Sequence, residues 1–147
     1  MVDEKFSLKG TVVIDLYGPD GEVKEHREID NIVTTLGKEG IIDRLLASPS
    51  VGVPTHMAIG KSSEEAKVGD TKLKEELDRN AFSTKTRSGA AVTMVGEWAA
   101  GDGTGALKEA GLLNASSEGT LFSRIVFEVI NKAAEDTLKI TWKYTQS

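Results

Sequence analysis

Residues 101–105 read Gly-Asp-Gly-Thr-Gly, and glycine-rich loops of this kind can cradle a phosphate because their backbone N–H groups approach closely. Dinucleotide binding needs G-x-G-x-x-G leading from a strand into a helix, and a phosphate-binding P-loop needs G-x-x-x-x-G-K followed by serine or threonine. Neither spacing is present, and the chain from Leu107 onward reads as extended. A tight loop between strands is the expected use of these glycines, with an anion site as the alternative. The two histidines stand apart. His26 lies in a polar stretch and is expected to be solvated; His56 precedes Met57-Ala58-Ile59 and is expected to be half-buried and hydrogen-bonded. No H-x-x-x-H or H-E-x-x-H pattern gathers metal ligands.

Carboxylates are plentiful, and Glu97, beside Trp98, and Glu109, before Ala110-Gly111, are those expected to be partly buried. A glycosidase needs two carboxylates at a defined separation across a cleft. Nothing in the sequence places Glu97 and Glu109 that way, so salt-bridged or solvent-facing strand positions are expected for both. No G-x-S-x-G nucleophile elbow occurs. Trp98, Trp142, Tyr17 and Tyr144 offer stacking surfaces for sugars, but aromatics are only 5% of the chain and core packing is the expected use of both tryptophans. The reading therefore assigns no catalytic residue, no cofactor and no metal ligand.

The elements that must position these residues follow from periodicity. In 11–17, Val12, Ile14 and Leu16 share one side of an extended segment. Gly18-Pro19-Asp20-Gly21 has the residues of a type I turn, and 22–29 returns as a polar edge strand. Between 35 and 48, Ile41, Ile42, Leu45 and Leu46 fall on one helical face, which predicts one short amphipathic helix covering a sheet. Residues 55–60 predict a strand, 61–70 a surface loop, and Leu73 with Leu77 one helical turn. Strands are expected over 81–86, 90–98, 107–114 and 121–130. In the last, apolar residues on both sides predict a central strand between two layers. Leu138, Ile140, Trp142 and Tyr144 alternate with polar residues and give the least ambiguous strand.

Seven or eight short strands with regular turns predict a mainly β fold, an antiparallel β-sandwich or partly closed barrel with one short amphipathic helix. The 147 residues suit one domain, 1–147, with 1–9 as a polar N-terminal arm able to order on a neighbour. There is no cysteine, which excludes disulfides and thiolate chemistry. The net charge of −5, with acids and bases interspersed, argues against a nucleic-acid partner. No apolar run of membrane-spanning length occurs, and the charged start lacks a secretion signal, so no membrane partner and folding in a cytoplasm are expected. Heptads, collagen-like triplets and sustained repeats are also absent.

Gly105-Ala-Leu-Lys-Glu-Ala-Gly-Leu-Leu-Asn114 resembles the "EAGLFN" stretch of small bacteriophage virion structural proteins. In that family it is followed by "GTLFAR" and "F…NK", here matched by Gly119-Thr120-Leu121-Phe122-Ser123-Arg124, Phe127 and Asn131-Lys132. Asp136-Thr137-Leu138-Lys139-Ile140-Thr141-Trp142 is similar to the closing strand. Upstream, His56-Met57-Ala58-Ile59-Gly60, Gly69-Asp70-Thr71, Leu73, Glu76-Leu77 and Arg79 follow the same layout, so the likeness covers roughly 55 to 142 and extends weakly to Asn31-Ile32-Val33-Thr34 and Leu36-Gly37. Similar modules occur as free-standing head or tail accessory proteins and near the start of tail-fibre and tail-collar proteins.

The resemblance implies a non-enzymatic virion structural role, made in the host cytoplasm and working by contact with other virion proteins, the major capsid or tail proteins. It brings no catalytic residues. The chain is expected to end just after the shared module, with no fibre shaft or receptor-binding tip, which favours capsid decoration over tail-fibre or tail-collar attachment. A homo-oligomer, such as a trimer on a capsid, is a natural solution. Two other classes make different demands. A carbohydrate-binding β-sandwich requires an exposed aromatic pair, and a small hydrolase requires a pocket holding Glu97 or Glu109.

Overall fold

Backbone groups of an extended segment buried from water are satisfied by neighbouring strands, and here the strands form two sheets of five. The computed structural model describes residues 7–146. Its elements are β1 (Leu8–Tyr17), β2 (Val23–Asp30), β3 (Ile32–Val33), α1 (Thr35–Asp43), β4 (His56–Gly60), β5 (Glu76–Ala81), β6 (Thr84–Ser88), β7 (Ala91–Trp98), β8 (Gly105–Leu113), β9 (Leu121–Lys132) and β10 (Thr137–Gln146). One sheet has the order β2-β1-β10-β7-β6 and the other β3-β9-β8-β4-β5. All their strand pairs are antiparallel. The fold is a mainly β sandwich with one short helix, as the patterning predicts.

Register fixes which side chains meet between the sheets. Val12 lies opposite Trp142, which lies opposite Met94; in the other sheet Met57 lies opposite Leu112 and Ile59 opposite Ala110. These residues, with Ile14, Leu16, Leu138, Ile140 and Trp98, form the main core. Paired residues share a face in a pleated sheet, so each row buries as a unit. The turn at 18–21 forms as expected, with Gly21 N–H donating to the Gly18 carbonyl and Gly21 at φ 85°.

Several expectations change. Ten strands are present among the described residues instead of seven or eight. The strand expected over 81–86 is two strands in different sheets. β5 pairs with β4 and β6 with β7, and the chain crosses between sheets at Phe82-Ser83. Leu73 and Leu77 do not share a helical turn. Leu73 packs into a small cluster with Ala58, Leu113 and Leu121, while Leu77 is a half-exposed residue of β5. β9 is not central, since beyond it lies only the two-residue β3. Its first half is buried on both sides because α1 and the 61–75 segment lie against it. Further along, Leu107 faces Ile130 and Glu109 faces Val126, so four residues of β9 span two of β8. That bulge turns Val129 outward. Of the expected N-terminal arm, Leu8 and Lys9 belong to β1, and residues 1–6 lie outside the described residues.

Candidate interaction surface

Thr34 caps α1 and pins it to the second sheet. Its Oγ1 accepts from the Gly37 N–H at 2.9 Å and donates to the Leu121 carbonyl at 2.6 Å, while its own N–H donates to the Phe122 carbonyl. The buried residues of the helix are Gly37 and Gly40, both against Phe122. A Cβ on Gly37 would stand 2.3 Å from the Phe122 carbonyl oxygen, so only glycine lets the helix backbone approach this closely.

That choice of face overturns the expected orientation of the helix. Ile41 is half-buried, but Ile42, Leu45 and Leu46 are 56%, 82% and 60% exposed instead of covering a sheet. The helix also ends at Asp43, well short of residue 48, and Leu45 and Leu46 follow it in tight turns closed by N–H bonds to Ile42 and Asp43.

The turn that carries these leucines is tied down. The Asp43 carboxylate accepts from the Val51 N–H at 2.8 Å, the Ser50 N–H at 2.9 Å and the Ser50 hydroxyl at 3.1 Å. The Val51 amide chiefly, with Ser50 and against some desolvation, holds the Asp43 carboxyl below its usual range. Arg44 donates to the Val51 carbonyl. Leu36 and Val53 are also half-exposed. A cleft of about 350 Å³ on one side is lined by Leu8, Lys38, Ile41 and Ile42. A second, of about 400 Å³, is lined by Ile41, Val53, Pro54 and Val92 together with Lys85 and Arg87.

The residues considered for chemistry go elsewhere. Glu97 and Glu109 are on different sheets, β7 and β8, the first exposed and the second buried. Glu109 is fully buried, and its oxygens accept from the N–H groups of Ser62, Lys74 and Glu75 and from Arg124 Nε. Arg124, also buried, donates in addition to Asp70 at 3.0 Å and to the carbonyls of Glu64 and Glu65. Burial alone would raise the Asp70 carboxyl, but the Lys67 amide and the Arg124 guanidinium outweigh it and hold Asp70 below its usual range. This cluster clamps the 61–75 segment onto the second sheet. Glu109 was visible from its apolar neighbours; Asp70 and Arg124, far apart in sequence, carried no local signal.

The 101–105 loop does join two strands, with Gly101, Gly103 and Gly105 at positive φ. Beneath it Lys132 is buried and donates to the Ala99 carbonyl, and desolvation pushes its ammonium below the usual range against the pull of Asp136 and Asp102. His26 is exposed and bonded to Asp15, which with Glu28 raises its pKa. His56 is half-buried and bonded to the Thr55 hydroxyl. Trp98 and Trp142 are fully buried, so neither belongs to an exposed stacking pair. Among the described residues no three His, Cys, Asp or Glu side chains gather as a metal site, and no helix is long and apolar enough to cross a membrane.

Asn114 accepts from the Thr120 N–H and donates to the Gly52 carbonyl, and Asp136 receives Lys24 and the Ala133 N–H. Like Arg124 and Lys132, each holds a loop or turn in place. No protein-family model, curated protein or solved structure matches the chain.

Proposed function

We propose that this is a non-catalytic structural protein of a bacteriophage particle, a capsid decoration or accessory protein that works by packing against other virion proteins and its own copies. The observation that carries the reading is the rigid apolar ridge Ile42-Leu45-Leu46, held to solvent on a sandwich whose buried charges are engaged in structural hydrogen bonds. Exposed apolar patches of this kind mark contact surfaces, and a turn fixed in advance loses little entropy on docking. The sequence likeness over 55–142 supplies the virion context. Tail-fibre or tail-collar attachment is the alternative within the same reading. A carbohydrate-binding role has less support, because both tryptophans that would stack on a sugar are in the core.

The test is co-sedimentation of the purified protein with shells, and separately with tails, assembled without it. Saturable binding to shells is the expected result. Saturable binding to tails alone would replace decoration by tail attachment, and binding to neither would overturn the virion reading.

A further inference from the structure

We infer that the Ile42-Leu45-Leu46 ridge binds a second copy of this chain. The inference rests on the contact-making role proposed above and assigns the self-contact to this ridge. Area is the first argument. The exposed parts of Ile42, Leu45, Leu46 and Val53 amount to on the order of 400 Å² of mainly apolar surface. One side of a standard interface buries about 800 Å², of which about 60% is apolar. The ridge therefore supplies roughly the apolar content that one side of a stable dimer needs.

Charge is the second argument. The chain carries −5 overall, so two copies repel unless they meet through a face without that acidic excess. The exposed face of α1 has one base and one acid, Lys38 and Glu39, beside its aliphatic residues. Of the charges next in sequence, Asp43 is held by Ser50 and Val51, and Arg44 by Val51. Lys38 of one copy can answer Glu39 of the other, and Lys85 and Arg87 beside Val53 leave the rim basic, opposite in sign to the chain as a whole. Clefts on both sides of Ile41 give protruding leucines of a second copy apolar walls to enter.

Light scattering and sedimentation of the purified full chain alone test this, comparing the wild type with Leu45→Glu and Leu46→Lys. Because both side chains are mostly solvent-exposed, the variants are expected to melt as the wild type does. The expected result is a wild-type oligomer and a loss of affinity of roughly thirtyfold or more in each variant, as for a central contact residue. Hydrogen exchange on the wild type gives a measurement free of any variant, with amides of 36–46 expected to gain protection as concentration rises. A monomeric wild type would overturn the inference, and so would an oligomer indifferent to both substitutions. A monomer that still binds shells overturns this self-contact alone, whereas an oligomer that binds neither shells nor tails overturns the virion reading alone.

Discussion

Arg124 uses Nε, Nη1 and Nη2 to hold Glu109, Asp70 and two backbone carbonyls, and it does so with 1% of its surface exposed. A buried charge is tolerated only with this degree of pairing, and removing one partner leaves the others desolvated and unmatched. Arg124→Met is therefore expected to destabilise the fold by about 3–5 kcal/mol, read from the urea midpoint. A loss under about 1 kcal/mol would mean that the cluster is not the clamp described. The same residue scale sets the acid response. Asp70, Asp43 and Asp136 are all held below the usual carboxyl range, Asp136 first by the Lys24 ammonium and then by the Ala133 amide. Carboxyls with a lowered folded pKa add stability that is complete above the unfolded value of about 3.9 and is lost as pH falls through the folded values. The urea midpoint is expected to drop progressively as pH falls below about 4, and a flat profile there would contradict it. Glu109 was legible as a partly buried carboxylate from Ala110-Gly111 beside it, whereas the same expectation fails for Glu97, which is exposed. The partner of Glu109 was not legible, because 15 residues separate Arg124 from it in sequence and 54 separate Arg124 from Asp70.

At the scale of elements, α1 shows what periodicity can and cannot say. It identifies residues that share a face, but which face is buried depends on the partner. Here Phe122 selects the side with no Cβ, Gly37 and Gly40, and the aliphatic residues turn outward. Helix propensity alone favours alanine over glycine by about 1 kcal/mol in a helix interior. Contact with the Phe122 backbone reverses that, so Gly37→Ala is expected to lower the melting temperature. A gain in stability would show that the helix does not sit against β9 as described. β10 was legible because Leu138, Ile140, Trp142 and Tyr144 alternate within one element, and alternation is a local property. The crossing at Phe82-Ser83 was not. No glycine or proline marks it, and the reason for the break is tertiary, since the Phe82 N–H bonds to Thr55 in one sheet region and the Ser83 N–H to Val95 in the other.

For the whole molecule, the sandwich class follows from many short alternating segments, while the pairing order β2-β1-β10-β7-β6 brings together strands from both ends of the chain. Such order is set by long-range pairing, which composition and periodicity do not encode. The division of labour is clear at this scale. Tryptophans and most other large apolar side chains close the core, buried charges fasten loops to the sheets, and the aliphatic ridge at the end of α1 is left exposed to solvent. The central proposal is that this ridge makes its contacts inside a virion. The most direct measurement is quantitative mass spectrometry of purified phage particles from the host that produces this chain. The account predicts the protein in intact particles at a fixed ratio to the major capsid protein, retained through repeated purification. Its absence from particles, with the protein abundant in the infected-cell lysate, would contradict the account.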